Sequence, residues 1–132
     1  MSKIYAALAK FAEISKPIGK DADNPFYKSK YAKLDDIQVE IKPWLKECGL
    51  TVTHRCNGKS VVTKVVCVED GTFEESLFGE GLPSKAQEVG AYMSYGKRYN
   101  LAAILDLIIQ DEVEDDDDGN RASGKILSLI HI

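Results

Sequence analysis

The 132-residue sequence has few of the side chains that hydrolytic and metal-dependent enzymes use. It contains two histidines and three cysteines, and no cysteine lies at a CxxC or other metal-ligand spacing. No Ser/His/Asp or Cys/His set can be assembled, and no GxxxxGKS or GxxxxGKT loop for nucleotide phosphates occurs. We therefore expect no catalytic site, no metal and no cofactor, and we interpret Cys48, Cys56 and Cys67 as ordinary thiols in a reducing cytoplasm.

Long apolar runs are also missing from the sequence. No stretch of 18 apolar residues occurs, so no membrane span is expected. The first sixteen residues carry several lysines and no small-residue cleavage site, which favours an amphipathic helix over a signal peptide. With 44% hydrophobic residues, the chain can bury the core of a single domain.

The formal net charge of −4 comes from one short segment. Seven of the 21 acidic residues lie between Asp111 and Asp118, and the 17 lysines and arginines outnumber the 14 that remain. The rest of the chain is therefore mildly basic. We predict a core domain over residues 1–110, an acidic and flexible segment over 111–126 and a separate tail over 127–132. For the acidic run, a solvated segment is the ordinary interpretation, and cation binding or competition with nucleic acid for a basic groove are the functional alternatives.

The tail has the sequence LSLIHI. The nucleotide string CTG TCT CTT ATA CAC ATC encodes this hexapeptide and resembles the mosaic end of a transposase-based sequencing adapter. We therefore expect the tail to be an adapter-derived artefact outside the fold, with a native protein that continues past about Lys125. A genuine apolar C-terminus is the alternative interpretation.

Two amphipathic helices are predicted in the first half of the chain. Apolar residues recur at helical spacing over residues 3–15 and again over residues 34–48. Asp35 is expected to cap the second helix and Gly49 to end it. Pro43 lies inside the second pattern, so a kink or a break into two short helices is expected there.

Three segments rich in β-branched and aromatic residues, LTVTHRC, VVTKVVCV and TFEESLF, predict an antiparallel meander. Asn57-Gly58 and Asp70-Gly71 separate these segments, and both pairs can take the positive φ angles of tight hairpin turns. The alternating pattern implies that helices cover one face of the sheet. His54 falls on the first strand, where we expect a partly buried structural histidine.

A long helix is predicted from Ser84 over SKAQEVGAYMSYGKRYNLAAIL, with Ser84 and Gln87 as a capping box. Gly90 and Gly96 each cost this helix about 1 kcal/mol relative to alanine. That cost indicates close approach of another backbone or a ligand. The predicted fold class is therefore α+β: a three-stranded antiparallel β-meander with a long helix packed on it, preceded by two helices.

Two segments combine cations with aromatic rings: FYKSKYAKL in a predicted loop and YMSYGKRYN on the long helix. In the second segment Tyr92, Tyr95 and Tyr99 form one stripe, with a Lys-Arg pair beside it. Core tyrosines and a solvated basic face are the ordinary interpretation of either segment alone. Together they supply cations for phosphates and planar rings for bases, as single-stranded DNA requires. The candidate DNA-binding residues are Lys97, Arg98, Lys28, Lys30, Lys33, Tyr27, Tyr31, Tyr95, Tyr99 and Arg55.

The sequence resembles the ERF (essential recombination function) family, the single-strand annealing proteins of phages and prophages. Four stretches carry the resemblance in order and spacing: NPFYKSKYAKLDDI, IKPWLKECGL, LPSKAQEVGAYMSYGKRYNLAAIL and EDDDDGN. Members commonly have Ser-Ala where this chain has Ala91-Tyr92, and Thr in place of Ser94. The glycine-containing turn that is usual after Leu105 is missing.

This resemblance implies a non-enzymatic recombinase that coats resected single strands and anneals complementary ones without ATP. It also implies assembly into a ring or filament with DNA in a shared basic groove, in the cytoplasm of a bacterial host. The expected partners are single-stranded DNA, further copies of the chain and an exonuclease or single-strand-binding protein, with no membrane. Two alternatives stay open: a non-catalytic scaffold that recruits a replication or recombination partner, and a metal-dependent nuclease that uses the acidic run.

Overall fold

Two small sheets and three helices make up the part of the chain that the computed structural model describes, residues 2–19 and 33–110. One sheet is an antiparallel meander in the order β2-β3-β4, and the other is a two-residue parallel pairing of β1 with β5. The predicted α+β fold class is confirmed, because the last helix packs on the meander and two helices precede it. The elements are α1 (Ile4–Ile14), β1 (Ile18–Gly19), α2 (Leu34–Cys48), β2 (Leu50–Cys56), β3 (Val61–Cys67), β4 (Phe73–Phe78), α3 (Ala86–Leu105) and β5 (Ile109–Gln110).

The meander has one covered face and one open face. On the central strand β3, Val61, Thr63 and Val65 are fully buried on the covered face. The strand register brings His54 of β2 opposite Thr63, and Phe78 of β4 opposite Val61, so both side chains lie on this face too. The predicted covering of one face by helices is therefore confirmed.

The open face is a mixture of apolar and charged side chains. Phe73 and Leu77 of β4 are 45% and 57% exposed there. The Nζ atom of Lys64 lies 4.0 Å from the centroid of the Phe73 ring, a cation–π contact that shields part of this apolar surface. Arg55 of β2 is paired in register with Val62, which places it on the same open face.

The main core lies between the covered face and the three helices. Phe11 of α1, Ile37 and Ile41 of α2 and Leu101 of α3 are almost fully buried in one cluster with residues of β2 and β3. The ring of Trp44 packs edge-on against Phe11, with 6.0 Å between ring centroids and planes at 82°. This contact joins α1 to α2, and α2 in turn packs against β2 and α3.

Helix α2 runs through Pro43 without interruption, so the predicted break into two helices is wrong. Proline removes the N–H that would donate to the carbonyl of Val39. Both residues are exposed, with Val39 at 72%, so water can satisfy that carbonyl. The buried face of the helix keeps its hydrogen bonds and packing, which is why the helix continues.

The ends of α2 match the prediction at one terminus only. Gly49 ends the helix in the left-handed region with φ 70°, as expected. The helix begins earlier than predicted, so Asp35 is not its cap. Lys33 takes the cap position, and its backbone N–H donates to the carboxylate of Asp36 at 3.0 Å.

The two turns of the meander lie where predicted, but only their glycines have positive φ, with Gly58 at 95° and Gly71 at 76°. Asn57 and Asp70 instead accept hydrogen bonds from backbone N–H groups two residues later, at 3.0 Å in both turns. The Asp70 carboxylate also accepts the N–H of Lys3 at 2.8 Å, so the second turn holds the start of α1.

Helix α3 begins at Ala86 with Lys85 at the cap position, so the predicted capping box of Ser84 and Gln87 is wrong. At Gly96 the helix does approach the sheet closely, but against side chains and not against the predicted backbone or ligand: a Cβ atom built there would lie 2.8 Å from Cβ of Val61. At Gly90 no close approach is found among the described residues: apart from the chain neighbours and the backbone of the same helix, no described atom lies within 4 Å of such a Cβ.

Several predicted features lie outside the described residues. They are the loop with its aromatic and basic side chains, up to residue 32, the acidic segment and the LSLIHI tail. Within the ranges that are described, no helix is both long enough and apolar enough to span a bilayer.

Candidate nucleic-acid interface

Two contacts fix the rotation of α3 about its own axis. Gly96 brings the helix backbone against Val61, and Asn100, one turn later, is buried against the same strand. The Nδ2 group of Asn100 donates to the carbonyl oxygen of Val61 at 2.9 Å and to Oγ1 of Thr63 at 3.1 Å. Since successive residues turn by about 100°, these anchors decide which side chains of α3 face away from the sheet.

Aromatic rings lie along the flank of α3 that faces β4. Phe78 stacks on Tyr99 with 5.8 Å between centroids and planes at 12°, and Tyr99 stacks on Tyr95 at 6.3 Å and 15°. Tyr95 and Tyr99 are half-buried, whereas Tyr92 is 2% exposed and packs edge-on against Phe78 at 5.5 Å. Tyr92 therefore belongs to the core, and Tyr95 is the outer ring of the stack.

Lys97 lies on the opposite flank of α3, towards β2. Its positive charge acts on His54 of β2 and helps to lower the pKa of that imidazole. The helical turn places Arg98 between Lys97 and Tyr95, on the side away from the sheet. The predicted grouping of this basic pair with the tyrosine stripe is thus only partly right: Lys97 lies across the helix from it. We call the surface made by Lys97, Arg98, Tyr95 and Tyr99 the α3 band.

A short chain of polar groups lies beneath Lys97. Nδ1 of His54 is 2.7 Å from Oγ1 of Thr63, and the same hydroxyl oxygen accepts a hydrogen bond from the side-chain amide of Asn100. Burial is the main reason that the pKa of His54 lies below its ordinary value of 6.5, and the Lys97 charge adds to it. His54 is therefore neutral at pH 7. Because the unfolded chain binds this proton more readily, His54 makes the domain less stable as the pH falls below about 6.5.

Replacing Lys97 by glutamine is expected to raise the pKa of His54, because a nearby positive charge that disfavours the imidazolium is removed. The pKa should stay below its ordinary value, since burial remains. An NMR titration of the imidazole measures it, with the resonance assigned from its loss in His54→Gln. Lys10→Gln is the control and should leave the titration unchanged. An unaltered His54 pKa in Lys97→Gln would contradict the placement of Lys97 beside His54.

A groove of about 630 Å³ runs between α2 and β2, which is one of the two edge strands of the meander. Its floor is apolar, and its titratable lining residues are Lys42, Lys46 and His54, with no carboxylate among them. Both lysines are exposed. We call this surface the α2–β2 groove. The lining residues are Gln38, Ile41, Lys42, Leu45, Lys46, Gly49, Leu50, Thr51, Val52, His54, Val68 and Leu101.

Sequence reasoning missed the two groove lysines. The signal was present: Gln38, Lys42 and Lys46 recur every four residues, next to the apolar stripe of a predicted helix. A polar row in that position is ordinarily solvated. It becomes one wall of a groove only because α2 and β2 join through the short turn at Gly49 and lie side by side.

The remaining candidates are not gathered in one place. Lys33 is exposed at the start of α2, and Arg55 is exposed on the open face of the sheet, separated by the sheet from the α3 band. The other four predicted residues, Lys28, Lys30, Tyr27 and Tyr31, lie outside the described residues. Within the described ranges, no group of three or more histidine, cysteine or acidic side chains is placed to hold a metal ion.

Comparison with known proteins places the chain in a family. No curated protein and no solved structure matches it. The model of the ERF superfamily matches residues 4–126, which is nearly the whole chain and includes α3, the α2–β2 groove and the acidic segment. The resemblance inferred from the four sequence stretches is therefore confirmed, and the chain belongs to the ERF superfamily.

Proposed function

We propose that this protein binds single-stranded DNA without sequence preference and anneals complementary strands in phage-type homologous recombination. Membership of the ERF superfamily supports a role in recombination and annealing in general. The observation that carries the more specific proposal is the α3 band, where two cations and two stacked rings share one helix that is anchored to the sheet. A rigid helix holds these groups in place before the strand arrives, which lowers the entropic cost of binding.

The α3 band suits a single strand better than a duplex. Lys97 and Arg98 can contact phosphates, and Tyr95 can extend its stack with Tyr99 by a nucleobase. Stacking on a tyrosine uses the face of a base and is worth about 1–3 kcal/mol whatever the base. The Watson–Crick edge of that base stays free to pair. A strand held in this way is ordered and still able to meet its complement, without catalysis or ATP.

The α2–β2 groove extends the basic surface from Lys97 along β2. His54 lines the groove, and the charge of Lys97 helps to lower the pKa of His54. The α3 band and the α2–β2 groove therefore adjoin. Lys42 and Lys46 provide further phosphate contacts along the groove. We propose that the strand crosses α3 on the α3 band and continues into this groove.

The family resemblance supports further proposals about assembly. We propose that copies of the chain form a ring or filament around shared DNA, in the cytoplasm of a bacterial host. An exonuclease or a single-strand-binding protein would supply or present the resected strand. Electron microscopy with and without single-stranded DNA tests the assembly directly, and particles that stay monomeric with DNA would contradict it.

Lys97→Ala combined with Arg98→Ala is expected to weaken binding of a labelled oligothymidylate about tenfold or more near 0.1 M salt. Each lost phosphate contact should reduce the slope of log affinity against log salt by about 0.7, so the pair should reduce it by about 1.4. Fluorescence anisotropy over a series of salt concentrations measures both quantities. Arg55→Ala is the matched control, since it removes a cation from the open face and should leave the slope unchanged.

Annealing is measured separately, from the rate at which two complementary labelled strands form a duplex. The wild-type protein should accelerate this rate, and the Lys97 and Arg98 double variant should lose most of the acceleration. Binding that does not depend on salt would contradict the proposed phosphate contacts. Binding without any acceleration of duplex formation would contradict annealing and favour a scaffold that only recruits other proteins to DNA.

A further inference from the structure

We propose that residues 111–118, the carboxylate-rich start of the acidic segment, dock in the α2–β2 groove of their own chain and must leave before DNA can occupy that groove. The docking itself needs no DNA. Only the competition rests on the proposed function. The groove, the charges of both surfaces and the length of the connecting chain carry the inference.

The charges of the two surfaces are complementary. The groove lining carries Lys42 and Lys46 and no carboxylate, and Lys97 lies close to its His54 end. The segment carries seven carboxylates in eight residues, with Val113 as its single apolar side chain. Attraction between these opposite charges therefore favours docking of the segment in the groove.

The segment is long enough to reach the groove. Leu101 lines the groove and lies on α3, four residues before the helix ends. The helical step to Leu105 and the five residues to Gln110 together place Gln110 at most about 24 Å from Leu101. The next eight residues span up to about 27 Å when extended. The segment can therefore reach the groove of its own chain, where the covalent connection gives it a high effective concentration.

The shape of the groove fits an extended segment. It follows β2, which is an edge strand and therefore presents a row of backbone N–H and C=O groups outside the meander. Its floor includes Leu50 and Val52, which offer apolar surface to Val113. An extended chain can place its carboxylates along the row formed by Lys42 and Lys46 while its backbone lies beside β2.

Docking would make the groove selective for ligands that bind strongly. Phosphates and carboxylates compete for the same lysines, so the free protein would bind stray anions and short strands weakly. A longer strand that engages the α3 band as well would gain enough contacts to displace the segment. Docking of the segment would thus make the protein bind long single strands in preference to short ones.

Zero-length cross-linking of the full chain with a water-soluble carbodiimide tests the docking without DNA. The reagent joins a lysine amine to a carboxylate as an amide and takes up the water that is released. Mass spectrometry should find Lys42 or Lys46 joined to residues 111–118, within one chain when ¹⁵N-labelled and unlabelled protein are mixed. The Lys3–Glu69 ion pair, at 2.6 Å, is the internal positive control.

Three outcomes of the cross-linking experiment would overturn the docking. They are a Lys3–Glu69 product without any groove product, cross-links spread evenly over exposed lysines such as Lys10 and Lys85, and groove products that join two different copies. Groove cross-links in a protein that binds no DNA would contradict the proposed function and leave the docking in place.

The competition is tested by DNA affinity in a double-mutant cycle. Converting the seven carboxylates to amides should tighten oligothymidylate binding at least about fivefold in the wild-type groove. The gain should largely disappear in the Lys42→Gln, Lys46→Gln background, where docking is lost. An equal gain in both backgrounds would show that the segment acts only through net charge, and would overturn the competition. The substitutions in the segment are D111N, E112Q, E114Q, D115N, D116N, D117N and D118N.

Discussion

Replacing Tyr92 by alanine is expected to reduce the free energy of unfolding by about 3–5 kcal/mol, whereas Tyr95→Ala should cost less than about 1 kcal/mol. Tyr92 is 2% exposed, packs edge-on against Phe78 and directs its hydroxyl towards the carbonyl oxygen of Lys59 at 3.2 Å. Its removal leaves a cavity beneath α3. Tyr95 is half-buried and stacks on the outer side of Tyr99, so its removal exposes a neighbour without emptying the core.

Urea denaturation followed by circular dichroism measures the difference between the two variants. A loss of 3–5 kcal/mol is a large share of the roughly 5–15 kcal/mol that stabilises a domain of this size, so Tyr92→Ala should be partly unfolded at 37 °C. Tyr92→Phe keeps the ring and removes the hydroxyl, and should cost only about 1 kcal/mol. A Tyr95→Ala variant as unstable as Tyr92→Ala would contradict the assignment of Tyr92 to the core.

In DNA binding the relative importance of the two tyrosines should be the reverse of that in stability: Tyr95 should matter more than Tyr92. Tyr95→Ala is expected to fold, and should lose about 1–3 kcal/mol of affinity for a single strand, roughly 5- to 150-fold, if a base stacks on this ring. Tyr92→Phe should bind DNA like the wild-type protein, because its ring is shielded by Phe78. Unchanged affinity in folded Tyr95→Ala would mean that no base stacks on this ring and that only the cations of the α3 band contact DNA.

The elements were predictable because their patterns are local. The period of two in β2, β3 and β4 and the glycines of their turns define the meander without tertiary information. The rotation of α3 was not predictable from its period. Helical spacing groups Tyr92, Tyr95 and Tyr99 on one stripe, but it does not say which edge of the stripe faces the sheet. The contacts of Gly96 and Asn100 decide this, and they separate a core ring from two half-buried ones.

Other misses come from packing that overrides local preference. Pro43 disfavours a continuous helix, yet burial of Ile41 before it and Leu45 after it on one face holds α2 together across it. The β1–β5 pairing spans two residues, Ile18–Gly19 with Ile109–Gln110, and is too short to leave any periodic signal. The groove lysines became recognisable only when α2 was seen beside β2.

The glycines of α3 give the second large expected effect, because the same substitution should have opposite signs at two positions. Gly96→Ala should reduce the free energy of unfolding by about 1–2 kcal/mol, and Gly90→Ala should raise it by about 0.5–1 kcal/mol. At Gly96 the new Cβ would lie 2.8 Å from both Cβ and Cγ2 of Val61 and 3.1 Å from the ring of Phe78. At Gly90 no described atom lies within 4 Å of the new Cβ, apart from the chain neighbours and the backbone of the same helix.

The signs follow from which atoms can move. Cβ of Val61 is fixed by the backbone of the central strand and cannot rotate away, so the helix itself must lift from the sheet. Lifting is expected to cost about 2–3 kcal/mol of packing, which exceeds the roughly 1 kcal/mol that alanine gains over glycine in a helix. Gly90 has no such neighbour, so Gly90→Ala should show only the stabilising effect of the higher helix propensity of alanine. Gly96→Val adds two further methyl groups and should cost still more, on the order of 3 kcal/mol.

Urea denaturation of the two alanine variants measures these signs, and near-UV circular dichroism reports whether the stack of Phe78, Tyr99 and Tyr95 is disturbed. The stack should change in Gly96→Ala and stay unchanged in Gly90→Ala, since only the first lifts α3 from β4. A Gly96→Ala protein as stable as the wild type would mean that α3 does not rest on Val61. The orientation of the α3 band, and with it the proposed path of the DNA strand, would then have to be abandoned, because both depend on that contact.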